Sequence, residues 1–118
     1  MATIRITNLK LRTIIGINDW ERETLQDVVI NVTMEFDASR AAHSDDIRDT
    51  VDYKTITKKI ITVVEESEYF LLETLTDRIL HIAMEDPKIS NAAVRVDKPQ
   101  ALRFADSVSI EISKERGK

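Results

Sequence analysis

The clearest hydrophobic pattern lies between residues 28 and 36, where every second side chain is apolar. These positions are Val28, Ile30, Val32, Met34 and Phe36, and the residues between them are Val29, Asn31, Thr33 and Glu35. Successive side chains of a strand point to opposite faces of a sheet, so a period of two residues indicates a strand with one buried face. We therefore predict a β-strand here.

Three other segments show the same period less regularly. Thr3 to Ile15 is predicted as a long strand with an irregularity at Asn8, and Gly16 opens a polar loop after it because glycine tolerates unusual backbone angles. Near the C-terminus, two shorter strands are indicated by alternating apolar residues, which are Ala92, Val94 and Val96, followed by Val108, Ile110 and Ile112.

Helical spacing occurs twice after a polar stretch from Asp37 to Thr50. Asp52 can accept hydrogen bonds from the free amides that begin a helix. The predicted buried stripes are Ile56, Ile60, Val63 and Val64 in the first helix, and Leu72, Leu75, Ile79, Ile82 and Ala83 in the second. Pro87 ends the second helix because proline lacks the amide that would donate the next hydrogen bond.

The predicted element order is β, β, α, α, β, β in a single domain, residues 1–118. Two strand pairs that flank two helices are typical of the α+β class, here a four-stranded antiparallel sheet with both helices on one face. Such a sheet has edges with unpaired backbone groups, which proteins pair or cover. We therefore expect a homo-oligomer.

Composition narrows the functional classes. Of the 118 residues, 42% are hydrophobic and 32% are charged, and the net charge of -4 comes from acidic and basic residues interleaved along the chain. Without a basic stripe, we expect no nucleic-acid partner. The sequence has no cysteine, no signal-peptide pattern at its start and no apolar run of about 20 residues. We therefore expect no membrane partner and a cytoplasmic location.

Neither a metal nor a nucleotide cofactor is indicated. His43 and His81 have no partner at a metal-ligand spacing, and the acidic cluster from Asp45 to Asp52 does not follow the spacing of a calcium loop. The two glycines of the chain form no phosphate-binding loop. We expect the protein to work without a cofactor.

Four short strings of sequence carry a family resemblance. They read IGINDWE at 15–21 with Gln26 after it, SDD at 44–46 followed by VDY at 51–53, LLETL at 71–75 and VDKP at 96–99. In this order, over nearly the whole chain, they resemble the dihydroneopterin aldolase and epimerase family. The string ALRFADSVS at 101–109 is more similar to the epimerase branch.

The resemblance implies a role for each matching residue. Lys98 is expected to be the catalytic lysine, Tyr53 the catalytic tyrosine at the start of the first helix, and Glu21 the loop glutamate that enters the active site. Glu73 would pair with the guanidine-like edge of a pterin ring, and the main chain of Leu72 would help to bind the ring carbonyl.

The reaction that the resemblance implies is isomerisation at C2′ of 7,8-dihydroneopterin triphosphate. The C1′–C2′ bond breaks and forms again, and the N5=C6 imine of the ring accepts the electrons. Lys98 would carry the proton, Tyr53 would relay it, and Glu21 would hold the hydroxyls or a water. Because an epimerase must retain the released fragment, Arg103 is our candidate for gripping the triphosphate. Two other cations, Lys10 and Arg12, are less favoured.

The resemblance also implies an assembly and leaves two alternative functions open. In the family's tunnelling fold, four subunits close a barrel, two rings stack into an octamer, and pterin sites lie between subunits. One alternative is the aldolase of folate synthesis, which releases glycolaldehyde and 6-hydroxymethyl-7,8-dihydropterin. The other is a pterin-binding ring without turnover. On the residues alone, Glu73 would be a solvated acid near a helix start, and Lys98 an ordinary polar strand end.

Overall fold

Residues 1–117 are described by the computed structural model. In them the chain forms four strands and three α-helices, which are β1 (Ala2–Thr13), β2 (Gln26–Phe36), α1 (Ser39–Ser44), α2 (Tyr53–Glu66), α3 (Leu72–Ala83), β3 (Ile89–Pro99) and β4 (Ser107–Glu115). Two short 3-10 turns cover Asp19–Glu23 and Ile47–Asp49. The predicted strands and the two predicted helices are all present. The short helix α1 was not predicted, because it buries no residue and leaves no hydrophobic pattern.

The strands form one antiparallel sheet in the order β1-β2-β3-β4, so β1 and β4 are its edges. The predicted irregularity at Asn8 is confirmed. Asn8 has a φ of 55°, and the register between β1 and β2 shifts between Ile6 and Leu9. The Asn8 amide donates to Oδ1 of Asn31 at 2.9 Å, which satisfies a backbone donor that the bulge removes from the ladder.

The core lies between one face of the sheet and helices α2 and α3. Helix α2 packs on β1, while α3 packs on β3 and β4. The predicted inward residues of β2 are all buried, and the helices contribute Ile56, Ile60, Val64, Leu75, Thr76, Ile79, Leu80, Ile82 and Ala83. The predicted stripes were wrong at their margins, since Val63 and Leu72 are only partly buried and Thr76 and Leu80 are buried instead.

Helix α2 is held at both ends by side-chain hydrogen bonds. Asp52 accepts from the amides of Lys54 at 3.1 Å and Thr55 at 3.2 Å, which confirms the predicted N-cap. At the other end, the buried hydroxyl of Thr13 donates to the Val64 carbonyl at 2.7 Å. The end of β1 is therefore tied to the end of α2, and the loop that follows β1 starts from a fixed point.

The face of the sheet that carries no helix is polar. Its side chains include Arg5, Asn31, Glu35, Arg95 and Asp97, which alternate with the core residues of their strands. Arg95 donates to Asp97 at 2.8 Å. A second layer of helices would leave these groups without water, so this face suits an aqueous environment.

Candidate active site

An open cleft lies at the end of the sheet where β3 and the loop after β1 meet the start of α3. Its volume is about 280 Å³. Four predicted site residues line it, which are Glu21, Leu72, Glu73 and Lys98. The other lining residues are apolar or small, namely Ile15, Gly16, Ile17, Phe70, Leu71, Ala101, Leu102, Val108 and Ile110. A mostly apolar concavity with a few convergent polar groups is typical of a small-molecule site.

Glu21 is buried in the 3-10 turn that follows β1, and only 5% of the residue is exposed. Its carboxylate accepts hydrogen bonds from the Asn18 amide at 3.1 Å, the Asn18 side chain at 2.9 Å and the Gln26 side chain at 3.3 Å. It also accepts one from Nζ of Lys98. These donors compensate for the cost of burying a carboxylate.

The pKa of Glu21 lies below its ordinary value of 4.5. Burial is the largest single influence and by itself raises the pKa. The hydrogen bonds from Lys98, Asn18 and Gln26, together with the positive charge of Lys98, outweigh it. Glu21 is therefore an anion at neutral pH and a counterion for Lys98.

Lys98 is the next-to-last residue of β3, and only 12% of its side chain is exposed. It lies on the same face of β3 as Val94 and Val96, which are fully buried, so the strand turns the amine toward the helices. The partner carboxylate of Glu21 comes from 77 residues earlier in the chain. The two side chains form an ion pair in the wall of the cleft.

Gly16 makes room for the Glu21 carboxylate. Its φ of 132° lies in a region that side-chain-bearing residues rarely adopt. A Cβ at this position would collide with the carboxylate of Glu21. The sequence indicated a conformational role for this glycine, and the structure adds a steric one.

The start of α3 presents main-chain donors and a carboxylate to the cleft. Its N-cap residue, Leu71, is extended and offers no side-chain hydrogen bond, so the first amides of the helix have no side-chain cap. Leu72 begins the helix, and Glu73 lies in its first turn with an exposed side chain. This arrangement can bind a ring that displays an acceptor beside two donors.

The structure does not bring Tyr53 to this cleft within one chain. Tyr53 is 54% exposed and lines another cavity, of about 630 Å³, together with Phe36. Phe36 lies seven residues along β2 from Val29, the partner of Asp97, so roughly 23 Å of strand separates the two sites at ~3.3 Å per residue. Tyr53 cannot reach Lys98 of its own chain.

The cations proposed for a triphosphate are also apart from the cleft lining. Arg103 lies in the exposed loop between β3 and β4, where its guanidinium carbon is 5.3 Å from the ring centre of the following phenylalanine. Ala101 and Leu102 of the same loop line the cleft. Arg12 and Lys10 line a different cavity. Of the three cations, Arg103 is therefore the one whose neighbours contact the cleft.

Two polar partners of the site belong to the first family string but were given no role from the sequence. Asn18 and Gln26 both hold the Glu21 carboxylate. The signal for Asn18 was present, because Asn18 and Glu21 form a capping box whose spacing can be read from the sequence. Within residues 1–117, no three potential ligands come together as a metal-binding group, and no helix is long and apolar enough to cross a membrane.

Comparison with known sequences gives a consistent result. The family model described as dihydroneopterin aldolase matches residues 4–113. The dihydroneopterin triphosphate 2′-epimerase of Escherichia coli is 50% identical over 115 residues, which cover 98% of this chain and 96% of the relative. The epimerase of Pseudomonas aeruginosa is 49% identical and covers 98% and 94%. The dihydroneopterin aldolase of E. coli is 29% identical and covers 99% and 94%.

A solved structure has the same fold. The crystal structure of E. coli dihydroneopterin aldolase in complex with neopterin superposes with a TM-score of 0.91 and 27% identity, covering 97% of this chain and 99% of that chain. The four-stranded antiparallel sheet with helices on one face is thus the fold of that enzyme.

Proposed function

Because the chain belongs to the dihydroneopterin aldolase family, we propose that it is an isomerase that epimerises C2′ of 7,8-dihydroneopterin triphosphate. The observation that carries the reaction class is the Glu21–Lys98 ion pair in a cleft that also holds the start of α3. The choice of epimerisation over cleavage is supported by identity, which is 50% to an epimerase and 29% to an aldolase.

Glu73 and the start of α3 bind the pterin ring. The pyrimidine edge of a pterin presents an N–H and an amino group side by side, and a carboxylate offers two acceptor oxygens at a matching spacing. The amides at Leu72 and Glu73 have no side-chain cap, so they are available to the ring carbonyl. Apolar cleft residues such as Phe70 and Leu102 cover the ring.

The chemistry uses the imine that the substrate already contains. Removal of the proton from the 2′-hydroxyl lets the C1′–C2′ bond break, and the electron pair moves through C6 into N5, which takes up a proton. The released aldehyde carries the triphosphate. Attack of the enamine carbon C1′ on the other face of this aldehyde inverts C2′. N5 loses its proton as the N5=C6 imine forms again, and the new 2′-oxyanion takes up a proton. No atom is lost, so the overall reaction is an isomerisation.

Lys98 is the proton carrier, acting through a water, and Glu21 orients it. The anionic Glu21 accepts a hydrogen bond from the Lys98 amine and fixes its direction before the substrate binds. As the C1′–C2′ bond breaks, Lys98 passes a proton to N5, while the water takes the proton of the 2′-hydroxyl and returns one to the amine. Glu21 remains the counterion through both steps.

Tyr53 enters the site from a second copy of the chain. Three observations support this assembly. Tyr53 lies far from Lys98 in its own chain, both β1 and β4 have unpaired edges, and the cleft is open in a single chain. Exposed large apolar residues also lie at both regions, since Phe70 and Leu102 line the cleft and Ile47 lines the cavity of Tyr53. A barrel of four sheets, stacked as two rings, would cover the edges and leave the polar sheet face toward water.

Arg103 holds the triphosphate so that the aldehyde stays in the site. Its loop begins two residues after Lys98, and the backbone of the loop has positive φ at Gln100, 61°, and Phe104, 69°. A guanidinium in this loop can reach a phosphate without entering the apolar cleft. Retention by the tail is what separates epimerisation from cleavage.

The direct test is to incubate the purified protein with the free and the triphosphorylated dihydropterin and to separate the products by chromatography. The epimer of the triphosphate is the expected product. Formation of 6-hydroxymethyl-7,8-dihydropterin from the free pterin as the dominant reaction would favour the aldolase instead. Lys98→Ala should remove both products. Unchanged turnover in that variant would contradict the role of the lysine. If the wild-type protein binds the pterin but converts neither substrate, it is a non-catalytic pterin-binding ring.

The shared site is tested by mixing two variants that should each be inactive, Lys98→Ala and Tyr53→Phe. If each site takes Lys98 from one chain and Tyr53 from its neighbour, about a quarter of the sites in randomly mixed rings regain both residues. Activity should therefore return after the two variants are unfolded together and refolded. A mixture that stays inactive, although mass measurement shows mixed rings, would contradict the shared site.

A further inference from the structure

Arg22 connects the two loops that carry the candidate active site. Its Nη1 donates to the carbonyl of Gly16 at 2.9 Å and to that of Tyr69 at 3.0 Å. Its Nη2 donates to the carbonyl of Glu68. The guanidinium also lies over the ring of Phe70, with its carbon 4.0 Å from the ring centre. One half-buried side chain thus contacts residues from both sides of the cleft.

The residues that Arg22 holds stand next to the residues that do the chemistry. Gly16 packs against the Glu21 carboxylate, and Glu21 precedes Arg22 in the same turn. On the other side, Phe70 lines the cleft and lies three residues before Glu73. A direct main-chain bond, from the Gly16 amide to the Tyr69 carbonyl at 3.3 Å, joins the same two segments.

Shape and charge make arginine suited to this position. The planar guanidinium has five donors in a fixed fork, so it can bind several carbonyls whose directions differ. It can also stack on an aromatic ring, which adds a cation–π attraction to the hydrogen bonds. Methionine or glutamine has a similar length but cannot make this set of contacts. This side chain, together with the main-chain bond between Gly16 and Tyr69, therefore sets the distance between the two loops.

We propose that Arg22 is a positioning residue, which sets the Glu21–Lys98 ion pair at the correct distance from the ring-binding start of α3. This inference rests on the proposed function, because the two sides of the cleft need a fixed spacing only if one ligand spans them. The ring is bound by α3, and the reacting side chain of the ligand lies at Lys98. Loss of Arg22 should therefore misalign the reaction more than it weakens ring binding.

The chain offers a matched control in Arg116. This residue also donates to three main-chain carbonyls, those of Ile89, Met84 and Asp86, at distances of 2.8, 2.6 and 3.1 Å. Its segment lies at the far end of the sheet, where Glu115 pairs with Asn91. Arg22→Met and Arg116→Met each remove a three-carbonyl clamp, but only the first clamp is at the cleft.

The experiment measures thermal unfolding, neopterin binding and epimerisation kinetics for both variants, at a temperature where both are folded. Arg22→Met should lower kcat roughly 10- to 100-fold, the cost of misplacing reacting groups by about 1 Å, while KM and the Kd for neopterin change less. Arg116→Met should lower the Tm but leave kcat near the wild-type value. Equal kcat values for the two variants would overturn the inference.

Two further outcomes keep the test decisive. If Arg22→Met does not fold, Arg22→Gln and Arg22→Lys, which keep one donor group, replace it in the same comparison, and wild-type kcat in a folded variant overturns the inference. If the wild-type protein converts neither dihydropterin, the proposed function is wrong. If the wild-type protein is active and the Arg22 variants match Arg116→Met, only the positioning role is wrong.

Discussion

Substitution of Gly16 by alanine should disturb the active site through a single added methyl group. The new Cβ would occupy the space of the Glu21 carboxylate, and alanine would also have to adopt a φ of 132°. Either the backbone at residue 16 or the Glu21 side chain must move. Movement of Glu21 separates it from Lys98 and Asn18, so we expect activity and stability to fall together.

The size of the effect follows from these two terms. Holding a residue other than glycine in a sparsely populated backbone region costs about 1–3 kcal/mol. Moving a buried carboxylate off its donors costs about another 1–3 kcal/mol. A sum near 4 kcal/mol is a large part of the roughly 5–15 kcal/mol that stabilises a typical domain. For a chain of this size, the Tm should fall by about 10–20 °C.

Two variants separate the steric term from the backbone term. Gly117 also has a positive φ, of 85°, but nothing lies within 4 Å of a Cβ built there, so Gly117→Ala should show only the backbone cost of about 1–3 kcal/mol, without the steric one. In Gly16→Ala/Glu21→Ala the carboxylate is absent, and the double variant should be more stable than the sum of the two single effects predicts.

The assay is urea unfolding at one fixed protein concentration, since assembly would make the midpoint depend on concentration. Additive effects in the double-mutant cycle would refute the proposed contact between Gly16 and Glu21. So would a Gly16→Ala variant as stable as Gly117→Ala. Circular dichroism of each variant at low temperature provides the check that the starting states are folded.

Three further outcomes can be measured on the same protein. Because the pKa of folded Glu21 lies below 4.5, its ionised form stabilises the protein above that pH, and this contribution is lost as the pH falls through the folded pKa. The difference in free energy of unfolding between wild type and Glu21→Gln should therefore become smaller in acid. A difference that stays constant with pH would contradict the reasoning. Thr13→Val removes the buried donor to the Val64 carbonyl and should cost about 1–3 kcal/mol in urea unfolding, whereas Thr13→Ser should retain most of that stability. Glu73→Gln replaces one acceptor oxygen by an NH2 donor that faces the amino group of the ring. Neopterin binding, measured by fluorescence titration, should weaken about 10- to 100-fold. The Tm should not change, because the side chain is exposed.

The parts of the fold that the sequence predicts are those with one buried face. The strand from Val28 to Phe36 could be read at every position because the inward and outward environments differ so strongly. Asp52 marked the start of α2 because its role is local and uses the next few amides. Helix α1 has no buried residue, so its formation left no periodic signal.

The candidate site was predicted through motifs, but its contacts were not. Nothing local in the sequence indicates that Glu21 and Lys98 pair across 77 residues, since that contact depends on how β1 and β3 lie in the sheet. The separation of Tyr53 from the cleft likewise follows from the strand directions. The bonds of Arg22 join two loops, and loops carry no periodicity from which such contacts could be inferred.

We expect the Glu21–Lys98 pair to contribute to catalysis and to add little to the free energy of unfolding. Moving both charges out of water is costly, and only 12% of the Lys98 side chain and 6% of the Glu21 side chain are exposed. Removing one partner leaves the other charge unpaired, so Lys98→Met and Glu21→Gln should each destabilise the protein by up to about 3–5 kcal/mol. The double variant removes both charges and should return to within about 1 kcal/mol of wild type, as buried pairs replaced by neutral groups often do.

The same double variant should have no epimerase activity, since it has neither the proton carrier nor its counterion. Recovery of stability without recovery of turnover would show that the pair is retained for its chemistry. Urea unfolding and product chromatography of the two single variants and the double variant supply the measurements. A double variant less stable than both single variants would mean that the pair stabilises the fold, and the functional argument for burying it would then fail.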